Sequence, residues 1–194
     1  MTTRTTREHL IEVGLERIHK VGYCATGVKD LLDIAGVPKG SFYHYFPSKE
    51  AFAGEVLQQY ATTENRRLEA ILGNDKRPPL KRLRKYFTEL ASVFGQKGPI
   101  SGCLFGKMSL EIADHSPNIQ SFLSGAFGHW QQGIAAVLRL AVDRGDLPAS
   151  TKPDELAAFL LNSWEGALVR SNAEKSDQPL DTFFHFAFNV LLKK

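Results

Sequence analysis

Apolar residues recur at intervals of three and four along almost the whole chain, and no stretch alternates apolar with polar residues over the length of a strand. The pattern predicts helices throughout. The first runs from Thr6 to Val21, with Leu10, Ile11, Gly14, Leu15 and Ile18 on one stripe and Gly22 as its stop. A short second helix carries Val28, Leu31, Leu32 and Ala35 at the i, i+3, i+4, i+7 spacing; Thr26 or Gly27 caps it and Gly36 ends it. Pro38 can open a third helix at its first position, where no backbone donor is needed, and that helix lasts to Tyr45. Ser48 caps a fourth, from Lys49 to Leu72, with Glu50 placed early to suit the helix dipole. Five more are expected over 79–96, 101–115, 117–144, 153–173 and 179–193, divided by QKGP, HSP, RGDLP and SDQP. The expected fold class is therefore all-α, with nine helices.

Two of these segments carry more apolar surface than one core contact needs. In the last helix Leu180, Phe183, Phe184, Ala187 and Leu191 form a stripe, and Phe186, Phe188 and Val190 widen it. A terminal helix has few neighbours in its own chain, so a second copy is the economical cover, with Phe183, Phe184, Phe188 and Leu191 as the candidate dimer interface. The other segment is GVPKGSFYHYFPSKEAF, residues 36 to 52, which sets Phe42, Tyr43, His44, Tyr45 and Phe46 side by side. An amphipathic helix can bury only about half of them.

Two short helices about a Gly-containing turn make a helix-turn-helix, whose second helix enters the DNA major groove. In that geometry Val37 and Phe42 turn inward, and Lys39, Ser41, Tyr43 and His44 turn outward. Tyr and His can then donate to phosphate oxygens and stack along the sugars, while Lys39 neutralises phosphate charge. Gly40 admits the backbone to the duplex. Lys49, with the free amides that open the fourth helix, is a second phosphate anchor.

Composition narrows the field. The chain of 194 residues has a formal charge of +3, a weak hint of an anionic partner. No apolar run reaches the roughly 20 residues of a membrane span, and MTTRTTREHL lacks a signal-peptide apolar region, so a cytoplasmic globular protein is expected. Two distant cysteines, Cys24 and Cys103, make neither a disulfide framework nor a metal site. The basic run KRPPLKRLRK is read as a solvated face. No metal, cofactor or catalytic group is expected.

The segment GYCATGVKDLLDIAGVPKGSFYHYFPSKEAF resembles the DNA-binding signature of the TetR family of transcriptional repressors over about residues 6 to 56. The resemblance implies a nine-helix homodimer on a pseudo-palindromic operator. Residues 1–48 would form the DNA-binding domain, with Thr26, Lys39, Gly40, Ser41, Tyr43, His44 and Lys49 at DNA. Residues 49–194 would bind an effector and dimerise. ISGCLFGKMSLEIADHSP and SWEGALVRSNAEKSDQPLDTF are similar to the NemR-like, N-ethylmaleimide-responsive branch, in which a cysteine matching Cys103 senses electrophiles or oxidants. That branch often carries a lysine where Asn172 stands here, and Arg170 is the nearest basic side chain. Lys107, at i+4, and the dipole of the helix expected around Cys103 would favour thiolate. Phe105, Trp130 and Trp164 are candidate effector contacts among the aromatics, with Ser101, His129 or Glu165 as polar ones. Two rival readings stand beside thiol sensing: a same-fold repressor with a reversible ligand, and, remotely, an enzyme with Cys103 as nucleophile and His115 or His129 as base.

Overall fold

The computed structural model describes residues 5–98 and 102–193. Among them are nine α-helices and no strand: α1 (Thr6–Val21), α2 (Val28–Ala35), α3 (Phe42–Tyr45), α4 (Lys49–Leu72), α5 (Pro79–Phe94), α6 (Leu104–Glu111), α7 (Pro117–Asp143), α8 (Pro153–Glu174) and α9 (Gln178–His185). A 3-10 turn, Ala113–His115, precedes α7, and a π-helical segment, Phe186–Leu191, continues α9. Ser101 lies outside the described residues. Helices α3 and α6 depart from the sequence reading. Pro38 does not open α3: Lys39 and Gly40 lie in a turn, and only Phe42–Tyr45 are helical. Of the two caps offered for α2, Gly27 is the N-cap residue. The segment expected as a helix from 101 to 115 is split, because α6 ends at Glu111 and the 3-10 turn follows.

The chain forms two compact units. One unit holds the described residues up to Thr63 together with Leu104–Gly125, and the other holds Glu64–Cys103 with the described residues from Ala126 on.

In the first unit α1 opens with a reciprocal cap: Thr5 Oγ1 accepts from the Glu8 amide at 3.2 Å, and Glu8 Oε2 accepts from the Thr5 amide at 2.8 Å. Its Gly14 is a contact residue, since a Cβ there would lie 2.2 Å from Phe52 Cζ on α4. Phe42, Phe46 and Phe52 are fully buried in one aromatic cluster, with centroids 4.9 to 5.3 Å apart. Such rings fill most of a small domain's core and gain edge-to-face contacts as well.

In the second unit Phe87 of α5 meets Trp164 of α8 at 5.3 Å and Phe183 of α9 at 5.0 Å. Arg82 is almost wholly buried; its Nη1 donates to the Leu72 carbonyl at 2.8 Å and so satisfies the end of α4. The π-helical segment changes the phase of the last apolar stripe. Leu192 donates its amide to the Ala187 carbonyl at 2.9 Å, a five-residue step, so Ala187, Phe188 and Leu192 turn inward while Phe186, Val190 and Leu191 turn out. Leu191 thus stands on the exposed side of a stripe that ideal helical spacing would have buried.

Candidate nucleic-acid interface and effector site

The turn between α2 and α3 is closed at Gly36, which takes the left-handed conformation at φ 65°, and the Val37 amide donates to the Leu32 carbonyl at 3.0 Å. Ser41 donates its amide to the Pro38 carbonyl at 3.0 Å, which turns the chain into α3. Phe42 and Phe46 then anchor the short helix from below, and its other side faces solvent. Lys39, Gly40, Tyr43 and His44 are exposed, Ser41 is half-buried, and Tyr43 is 67% exposed even though its ring meets Phe42 edge-on at 5.4 Å. A Cβ at Gly40 would touch nothing within 4 Å, so the surface there is open. A turn presenting a lysine and bare backbone, followed by a four-residue helix presenting a phenol and an imidazole, is suited to phosphates and base edges.

Two expected DNA contacts are engaged elsewhere. Thr26 is fully buried, and its hydroxyl donates to the Gly22 carbonyl at 2.6 Å, so it pins the α1–α2 loop instead of facing a duplex. Lys49 donates from Nζ to the Tyr23 carbonyl at 2.7 Å, and the ammonium sits 4.2 Å from the Tyr23 ring centroid. Ser48 caps α4 as expected, accepting from the Ala51 amide at 3.0 Å.

The effector residues separate in the same way. Cys103 is buried and stands directly ahead of α6, not inside its first turn. Its thiol donates to the carboxylate of Glu165 on α8. Burial lifts the Glu165 carboxyl to about 7, and the thiol's hydrogen bond acts in the opposite direction. Lys107 Nζ donates to the His19 carbonyl at the end of α1. Phe105 packs on Tyr60 at 4.8 Å, within the first unit. Arg170 is exposed and paired with Glu174 at 2.8 Å, and Asn172 accepts from Lys175 Nζ at 3.0 Å. Asn172 is seven residues after Glu165, nearly in line with it along α8, whereas Arg170 points well to one side. Trp130 is buried beside Phe127, and Trp164 is wholly buried at the centre of the second unit.

Sequence reasoning missed part of this interior. Glu64 and Arg67 pair on α4 at 3.3 Å, with burial raising the Glu64 carboxyl and Arg67 lowering it. The Tyr86 phenol is pushed far up, by burial first and then by Glu64. Tyr86 was legible only as one more apolar-stripe residue of α5, at i, i+4 with Leu90. Among the described residues no cluster of His, Cys, Asp and Glu could hold a metal ion, and no helix is long and apolar enough to cross a membrane.

The candidate dimer residues also divide. Phe183 and Phe188 are buried against Phe87, Phe184 is half-buried, and Leu191 is exposed. Phe183 and Phe188 are thus core residues of the second unit, because the side of α9 that carries Phe183 faces α5 and α8. The outward apolar surface belongs to Phe159 and Val169 of α8 and to Phe186 and Val190, each more than half exposed. A groove of about 350 Å³ runs between α8 and α9, with Phe159, Gly166, Arg170, Thr182 and Phe186 on its walls.

Residues 10–56 match the family described as bacterial regulatory proteins, tetR family, and residues 79–187 match the tetracyclin repressor-like C-terminal domain. The HTH-type transcriptional repressor DhaR of Mycobacterium sp. (strain GP1) is 34% identical over 192 residues, covering 99% of this chain and 95% of its own. The HTH-type transcriptional repressor NemR of Escherichia coli (strain K12) is 33% identical over 194 residues, covering 98% and 96%. The crystal structure of reduced E. coli NemR superposes with a TM-score of 0.84 at 32% identity, covering 95% of this chain and 97% of that one.

Proposed function

We infer the working cycle of this chain from one premise: it belongs to the TetR family of bacterial regulatory proteins. It is a DNA-binding transcriptional repressor of that family. Members bind DNA operators and typically dimerise, and these relatives are transcriptional repressors. The protein acts in the cytoplasm as a homodimer that spans two half-sites of a pseudo-palindrome with its paired α3 edges. An electrophile releases it by reacting at Cys103.

The observation that carries the release step is the buried thiol hydrogen-bonded to Glu165. As the sulfur forms a bond to the β-carbon of a conjugated carbonyl, the C=C π pair moves toward the carbonyl oxygen. Glu165 takes the thiol proton and can return one to the α-carbon, so no external oxidant or reductant is needed. Cys103 is only 4% exposed, and an adduct there must displace its neighbours. A second reading, reversible effector binding, draws support from Glu165 Oε1 and Trp164 Nε1, which are buried without protein partners and could serve a ligand bearing both a donor and an acceptor.

N-ethylmaleimide separates the two. In a Cys24→Ser background, the reagent should add one mass increment and release the operator. With Cys103→Ser as well, the operator should stay bound. Release of the double variant at the same dose removes covalent sensing at Cys103 and leaves the reversible reading.

A further inference from the structure

Helix α6 reaches the DNA-binding head through two side chains one turn apart on the same face, Lys107 and Glu111. Lys107 Nζ donates to the His19 carbonyl, in the last turn of α1, where the helix has no amides of its own left to offer. Glu111 Oε2 accepts the Cys24 amide at 2.8 Å, in the middle of the α1–α2 loop. The loop is shaped for that carboxylate. Gly22 takes φ 91°, and a Cβ there would lie 2.2 Å from Glu111 Oε1. The remaining groups of the loop are tied as tightly, with Thr26 Oγ1 on the Gly22 carbonyl at 2.6 Å and Lys49 Nζ on the Tyr23 carbonyl at 2.7 Å. Helix α2 begins two residues after Thr26, and its N-cap Gly27 supplies no side-chain hydrogen bond. The start of α2 is therefore held by the loop before it.

We propose that Glu111 and Lys107 are positioning residues for operator binding: they clamp the α1–α2 loop onto α6 and so fix the angle at which α2 and α3 meet the duplex. The proposal rests on the DNA-binding reading and is independent of how the effector is sensed. It makes a prediction whose sign opposes simple electrostatics. Removing a carboxylate from a DNA-binding head lessens repulsion of phosphate and by itself strengthens binding. Loss of the clamp weakens it.

The test compares Glu111→Ala with Glu111→Gln in the full-length protein, on operator DNA over a range of salt. Both lose the charge, but Gln keeps an acceptor oxygen for the Cys24 amide. Glu111→Ala should bind up to about tenfold more weakly than Glu111→Gln, the worth of one neutral hydrogen bond. The slope of log K against log salt should be the same in both, since no phosphate contact is lost. Hydrogen exchange at the Cys24 amide should be faster in Glu111→Ala and near wild type in Glu111→Gln. Equal or tighter operator binding by Glu111→Ala overturns the proposal, as does equal exchange at Cys24. Should Glu111→Ala melt well below wild type, Lys107→Met is the second variant: weakened binding with an unchanged melting temperature supports the clamp, and wild-type binding overturns it.

Discussion

Glu165→Gln tests the buried thiol–carboxylate pair through pH alone. Burial raises the Glu165 carboxyl from its ordinary 4.5 to about 7, and the Cys103 thiol offsets only part of that rise. A carboxyl whose folded value lies above its unfolded one binds its proton more tightly when folded. Its contribution to stability is therefore complete below pH 4.5 and is lost as pH rises to 7, after which the ionised group is a constant burden. At about 1.4 kcal/mol for each tenfold change in proton affinity, the loss over that interval is about 3 kcal/mol. Gln cannot ionise. The variant should match wild type near pH 4.5 and exceed it by up to about 3 kcal/mol at pH 8. Urea denaturation at fixed protein concentration measures this, the concentration being held because a dimer's apparent stability depends on it. Cys103→Ala, which removes the hydrogen bond that holds the Glu165 value down, should steepen the wild-type pH dependence. Parallel curves for wild type and Glu165→Gln between pH 4.5 and 8 would refute an enclosed carboxyl, and with it the proton acceptor on which covalent sensing depends.

Two further outcomes follow from where side chains lie. Phe186→Glu, on the exposed strip, should give a folded monomer, whereas Phe183→Ala should cost about 3–5 kcal/mol of stability through a core cavity; sedimentation and melting separate them, and a dimeric Phe186→Glu would put the seam elsewhere. Lys39→Ala should weaken operator binding and flatten its salt slope by roughly one unit, while Thr26→Val should lower stability by about 1–3 kcal/mol and leave the slope unchanged; a slope change in Thr26→Val would return that residue to the DNA contacts.

Helix periodicity located α1, α2 and α4 closely because punctuation and pattern agree there: Gly22, Gly36 and Ser48 bound stripes of ordinary helical phase. It failed where the backbone leaves that phase. The π-helical segment after His185 inserts a longer step, so a stripe projected at 3.6 residues per turn puts Leu191 inward and misses Leu192. The exposed half of the FYHYF run was legible for a related reason, since neighbouring residues on a helix cannot all be buried. Pairings across the chain were not. Cys103 and Glu165 are separated by more than sixty residues of sequence, and no local spacing relates them; Lys107 at i+4 looked the better partner until α1 supplied a carbonyl that needed a donor.

Lysine use in the head bears on how the operator is held. Residues 36 to 49 contain two lysines and no acid, which reads as two phosphate neutralisers per subunit. Lys49 already bonds the Tyr23 carbonyl and covers its ring, and an ammonium can turn only its remaining N–H groups outward from that seat. Lys39 is then the exposed lysine of that stretch, beside the Tyr43 phenol, the His44 imidazole and the open backbone at Gly40. Directional hydrogen bonds from such an edge contribute affinity that salt removes less than it removes phosphate neutralisation. Such an edge depends on geometry more than on charge. A displacement that would hardly affect a diffuse basic surface misaligns hydrogen bonds from a helix of only four residues. The modest net charge of +3 thus suits a repressor that must let go: binding resting on aligned hydrogen bonds can be lost to a small change in the pose of α3, while a strongly basic face would stay on DNA non-specifically after the same movement.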